Sequence, residues 1–349
     1  MKGLACHLRP GLFFIVAGAL LASGAGSQQI PRDEEFEPLV FDRIIPMPAV
    51  EGRIDHITVD PESGRIFAAV YGNDTVEVLD VHRAREMAVI HGGLGEPQGV
   101  AFLPDANRIA VTSDIGGTVS FFDATNYSRI GSVSFADDAD QIRYDSSAHR
   151  LYVGYGDDAE SAIGIIDTET WQKLPQTYRL DAHPESFQVD EAGHRIFVNV
   201  ASKGEVQVIH LDTSKIDTWK LPGAWENFPI ALDLKDHRIF VAARRPARMM
   251  VLDSDTGNLI ASLPGADDTD DMWYDATRHR IYEPSGEGFI FVYQQVTPDI
   301  YDRVAKIPTA IGARTSAYFG QVGKHNSLYV AVPPRANRGA EMWLFETRD

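Results

Sequence analysis

The sequence predicts an all-β fold, a seven-bladed propeller closed into one ring, on three observations. An apolar pair recurs seven times: Ile66-Phe67, Ile109-Ala110, Leu151-Tyr152, Ile196-Phe197, Ile239-Phe240, Ile281-Tyr282 and Leu328-Tyr329. The interval is roughly 45 residues, the length of one four-stranded blade. Six of the seven pairs follow an arginine: Arg65, Arg108, Arg150, Arg195, Arg238 and Arg280. Short apolar runs flank each pair, and no stretch sustains the 3.6-residue period of a long helix. A chain of 349 residues would otherwise allow two or three domains. The repeat makes it a single ring.

The N-terminus stands apart from this pattern. Lys2 and Arg9 flank the start, Gly11 to Leu21 is apolar, and Ala22 to Ser27 is rich in small residues. This predicts a secretory signal peptide over 1–27, with an apolar run too short to span a bilayer. The lone cysteine, Cys6, lies inside it. The mature chain would then carry no disulfide and no thiolate site, which suits a periplasmic or secreted protein. Residues 28–38 read as a flexible polar lead-in and 39–349 as the propeller.

Leu39 to Met47 reads as a strand ahead of the first blade. The C-terminal blade ends at Glu341 to Phe345 with no fourth strand after it. Leu39 to Met47 is therefore expected to complete that last blade and remove its open edge. Each blade then repeats one plan. The inner strands are Ile57–Val59, Val100–Phe102, Ile142–Tyr144, Phe187–Val189, Ile230–Leu232, Met272–Tyr274 and Ala317–Phe319. A polar turn follows, then the Arg-apolar strand, then a β-branched third strand. Asp80, Asp123, Asp167, Asp212 and Asp253 close third strands, as Asx turns require.

Asn73 to Asp80, followed by Gly95-Glu96-Pro97-Gln98-Gly99-Val100-Ala101-Phe102, resembles the YVTN-repeat (YncE-like) β-propeller family, and Gly117 to Asp123 repeats the phrase. The resemblance runs from about Leu39 to Phe345 and departs most in blades 5 to 7. It implies the fold and leaves activity open, since such propellers serve many roles.

Aligned on the arginine, one register falls at the entrance of every inner strand: Asp55, Gln98, Asp140, Glu185, Phe228, Asp270 and Thr315. Inner strands surround the central channel, so these side chains should ring one mouth. Arg53, His56, Gln141, Asn227, Asp271 and Arg314 adjoin them, with Asp138, His183 and Asp268 two residues upstream. Asp and Asn also serve strand entrances as turn caps. Against that reading, two carboxylates ~6 Å apart repel by roughly 3 kcal/mol at an effective dielectric of 20. The ring should therefore be offset by a bound cation, by Arg53 and Arg314, or by raised carboxylate pKa values. Oxygen donors suit calcium or magnesium, and His56 and His183 would add affinity for a transition metal.

Two functions follow. The first is a binding or interaction module taking a small molecule or protein ligand at the acid-rich mouth, acting as a monomer. The second rests on a constellation similar to that of gluconolactonase- and paraoxonase-type lactonases. That resemblance implies a divalent cation held by Glu185, Asn227 and Asp270, with Asp271 or His56 as base activating water. A formal charge of −18, more negative still without Lys2 and Arg9, disfavours nucleic acid and anionic membrane surfaces. His149, His194, His237 and His279 each precede a repeat arginine and read as surface turn residues on the opposite face. The repeat arginines read as structural, pairing with an acid of the neighbouring blade.

Overall fold

The computed structural model describes residues 37–157, 160–322 and 325–349. The expected signal peptide and nearly all of the lead-in lie outside them. Pro38, at the lead-in's end, is buried and its carbonyl accepts the Arg348 backbone N–H at 3.0 Å. Among the described residues, no helix is long and apolar enough to cross a membrane.

Seven four-stranded antiparallel sheets follow one another around the ring. Six are sequential meanders, from blade 1 at Ile57–Ile90 to blade 6 at Trp273–Pro308. Blade 7 combines Ser316–Val322, His325–Val332 and Ala340–Thr347 with Leu39–Met47 as its outer strand. Leu39 pairs with Thr347 and Met47 with Ala340. The ring thus closes as the sequence implied, and the last blade has no bare edge where two chain ends meet.

The core is a series of seams between neighbouring blades, because each sheet is apolar on both faces. Phe67 and Val78 of blade 1 pack on Val100, Ile109 and Phe122 of blade 2. At the closing seam Ile45 and Met47 join Ile66, Leu79, Tyr329 and Met342. Every one of these six is fully buried.

The turn before each repeat arginine has a specific cause. Gly64, Asn107, His149, His194, His237 and His279 all have positive φ, between 49° and 70°. Gly, Asn and His tolerate this left-handed region better than most residues. The recurrent histidines are thus turn residues on the face opposite the acid ring.

The arginines differ in part from expectation. Arg65 and Arg195 pair first with Asp60 and Asp190 of their own blades, both at 2.9 Å. They reach the next blade mainly through backbone: Arg65 donates to the Ala124 carbonyl and Arg195 to Ser254, the latter at 2.8 Å. Arg195 and Arg238 also meet next-blade acids, Asp255 at 3.0 Å and Asp299 at 2.5 Å. Arg108 lies over the Trp171 ring instead, at 3.8 Å. Planar guanidinium suits this role, since one fork can serve a carboxylate and a carbonyl together.

Candidate functional site

Inner strands enter the channel through irregular pairing. In blades 2, 3 and 5 the register shifts between Pro97 and Val100, Ala139 and Ile142, and Asn227 and Ile230. A bulge re-aims the side chain it carries. Here it brings Asp140 and Phe228 to a cavity of about 130 Å³ that Asp55, Glu185 and Asp270 also line. Close approach of backbones tightens the ring. A Cβ on Gly99 would lie 2.3 Å from the Asp140 carbonyl oxygen, and Thr112 Oγ1 bonds to that same carbonyl while accepting the Gly99 N–H at 2.7 Å.

The acids of this ring are not turn caps. Those sit at the other end of the inner strands: Asp60, Asp190 and Asp233 each accept backbone N–H groups of the following turn. Asp55 Oδ1 and Asp140 Oδ1 have no hydrogen-bond partner, although Asp55 is 1% and Asp140 8% exposed. Glu185 makes no side-chain hydrogen bond or ion pair among the described residues. A buried acceptor left without a donor costs roughly 1–3 kcal/mol, so this arrangement is one that folding alone disfavours.

Charge is distributed unevenly around the cavity. Arg53 pairs with Asp55 at 2.7 Å, and Arg314 with Asp268 at 2.9 Å and Asp270 at 2.5 Å. Arg244 also pairs with Asp270 and stacks over Phe228 at 3.7 Å. This side is internally neutralised. On the blade 3 and 4 side no arginine pairs with Asp138, Asp140 or Glu185 among the described residues, and the imidazole of His183 lies 3.4 Å from Asp138 and 3.8 Å from Asp140. His56 lies between, 3.6 Å from Asp55, 3.8 Å from Asp140 and 3.4 Å from Asp271.

Proton affinities follow this geometry. Burial raises Asp55 to about 6 despite His56 and Arg53, and burial with Asp140 raises Glu185 to about 7. Burial raises Asp138 to about 6 as well, with His183 opposing. Burial alone would lower both histidines, but Asp55, Asp271 and Asp140 raise His56 to about 9. Asp140 above all, with Asp138 and Glu185, carries His183 to about 10. Asp140 itself is held below the usual range, its burial outweighed by His183, His56 and Arg53. Gln141 Nε2 lies 2.5 Å from His56 Nε2, and Gln141 Oε1 is buried without a hydrogen-bond partner.

Most of the sequence-derived residues converge here. Arg53, Asp55, His56, Asp140, Gln141, Glu185, Asp270 and Arg314 line the cavity. His183 reaches it through Asp140. Gln98 and Asp271 stand one layer back: Gln98 Nε2 donates to Asp138 at 2.8 Å, and Asp271 accepts the Ser316 N–H at 2.7 Å. Asn227 does not belong to the site. It is fully buried outside the cavity, its Nδ2 donating to Asn199 Oδ1 and the Glu205 carbonyl, both at 3.0 Å, while its Oδ1 accepts no hydrogen bond. The expected ligand set Glu185, Asn227 and Asp270 is therefore not assembled in one cavity, because Asn227 does not line it and Asp270 is held by two arginines. A different trio is: ligand atoms of Asp140, His183 and Glu185 lie within 4.8 Å of one another. Asp138, Asp157 and His183 form a second, more exposed group of the same kind. Sequence reading missed Arg244 as a site residue. The available signal was the Arg244-Arg245 pair ending the second strand of blade 5, which is the mouth end of that strand.

No family model matches the chain, and no curated protein does. Solved structures match its shape. The RRP9 WD40 repeats share a TM-score of 0.74 at 12% identity, over 88% of this chain and 97% of theirs. U3-55K gives 0.73 at 12% identity, over 87% and 98%. A chain of the hydrazine synthase of Kuenenia stuttgartiensis gives 0.69 at 16% identity, over 81% and 94%. At these identities the likeness is one of fold, the propeller.

Proposed function

We propose that this chain is a ligand-binding propeller whose mouth cavity takes a small cation, with a divalent metal ion at Asp140, His183 and Glu185 as the simplest guest. The observation that carries this reading is the set of buried carboxylate oxygens on Asp55 and Asp140 without a donor, beside an unpaired Glu185. A guest that supplies positive charge would relieve both the missing hydrogen bonds and the mutual repulsion. Mixed carboxylate and imidazole donors favour manganese or zinc over calcium. In this reading the protein is exported, supported by the leader-like segment at 1–27, and works as a monomeric member of the YVTN-repeat class. Propellers such as the WD40 repeats of RRP9 share this fold, and a protein ligand at the mouth is compatible with it.

A second reading, a divalent-metal-dependent hydrolase of lactones, is favoured by the same trio, since a bound ion there would polarise a carbonyl. His56 is a poor base for it, being held protonated up to about pH 9.

Calorimetric titration of chelator-treated protein with Mn²⁺, Zn²⁺, Ca²⁺ and methylammonium tests the proposal. Saturable binding of a cation, lost in E185Q, supports it. Absence of binding for all four at millimolar concentration overturns it. Chelator-sensitive lactone hydrolysis would select the second reading.

A further inference from the structure

Three residues beyond the acid register, two of the same inner strands bring a cation and an aromatic ring to a second cavity. Asp140 is followed at that spacing by Arg143, and Asp270 by Trp273. Arg143 and Trp273 line a separate cavity of about 310 Å³, with Phe102, Tyr144, Ile142 and Phe319 as its apolar walls. The Trp273 and Phe319 rings meet tilted at 42° with centroids 5.9 Å apart, and Phe319 remains 39% exposed at the rim.

Arg143 is the cation of this cavity. Its guanidinium donates to the Ile142 carbonyl at 2.9 Å and rests 5.6 Å from the Phe187 ring. No carboxylate among the described residues pairs with it, whereas Arg53, Arg244 and Arg314 each hold one or two. A guanidinium has five N–H donors in a planar fork, and this one is left with most of them uncommitted. Asp140 and Asp271 act on it only at longer range, and burial outweighs them, weakening its hold on its proton.

We propose that this cavity is a binding site for a small organic carboxylate with an aromatic or short aliphatic body. The fork of Arg143 matches a carboxylate's two oxygens. Trp273, Phe319 and Phe102 offer the flat apolar walls that a phenyl-sized body fills. The volume falls in the range of small-molecule sites, and one charge among apolar walls is the usual composition of such sites. The proposal is independent of the cation reading at the mouth, because it uses a different cavity and different residues.

The test is calorimetric titration of the full mature chain with 3-phenylpropionate and with its neutral amide. The acid should bind about tenfold or more tighter than the amide, the difference one charge-assisted pair supplies. R143M should abolish that preference while leaving amide binding unchanged, and the mouth variant E185Q should leave both unchanged. F319A, a change at the exposed rim, should weaken acid and amide alike and serves if R143M fails to fold. Equal affinity for acid and amide in the wild type, full acid binding by R143M, or no binding of either at millimolar concentration would overturn the proposal.

Discussion

The His56 imidazole stands 3.6 Å from the Asp55 carboxylate, its neighbour in the chain, and both side chains turn into the same cavity. The pair also touches Asp140 and Asp271, so one imidazolium serves three carboxylates. Replacement by glutamine should cost roughly 3 kcal/mol near pH 6.5. The folded pKa of about 9 lies above the unfolded value. The stabilisation is therefore complete below about pH 6.5 and lost as pH rises through 9. Urea unfolding of wild type and H56Q at pH 6.5 and 9.5 measures this, and the gap should close at the higher pH.

Glu185 behaves with the opposite sign. Its folded pKa of about 7 exceeds the usual carboxyl value because burial and Asp140 disfavour its charge. Ionisation in the folded state therefore destabilises, a cost that grows from about pH 4.5 and is complete above 7. E185Q should raise stability by about 1–2 kcal/mol at pH 8, discounted for partial exposure, and change little at pH 4. Thermal melts at the two pH values decide it. A gain in stability with a loss of cation binding is what a site held against its own electrostatics produces.

Cation binding at Asp140, His183 and Glu185 must displace protons, since His183 is protonated up to about pH 10 and Glu185 up to about 7. Affinity for Mn²⁺ should therefore rise with pH between 6 and 9, by about tenfold per unit for each proton released. Titration in two buffers of different ionisation enthalpy counts those protons directly.

The turn preceding each repeat arginine tests the conformational reading. His194 has φ 50°, a region that β-branched residues enter at a cost. H194V should destabilise by about 1–2 kcal/mol and H194G should be neutral or slightly stabilising, as read from urea midpoints. The closing seam gives a larger effect. Met47 is fully buried against blades 1 and 7, so M47A should cost about 2–5 kcal/mol.

Legibility in the sequence followed from periodicity. The Arg-apolar pair marks the same strand in six blades, so the strand plan, the closing strand and the entrance register could all be aligned from it. The direction of a single side chain within a bulge could not. Asn227 shares the neighbourhood of the ring, yet it bonds to Asn199 and Glu205 because the blade 5 entrance turns it toward blade 4. Arg244 sits in a second strand, outside the register of the inner-strand entrances. The offsetting of the ring was anticipated in kind, through Arg53, Arg314 and raised carboxyl pKa values. Its asymmetry was not, because it depends on which blades contribute arginines across the channel.

Equilibrium dialysis of the protein against Mn²⁺ at pH 8, run beside D140N, puts the cation site to trial. One ion retained per wild-type chain and none by D140N at the same free concentration is the expected result. Equal retention by both, or none by either, would mean that Asp140, His183 and Glu185 do not form a cation site.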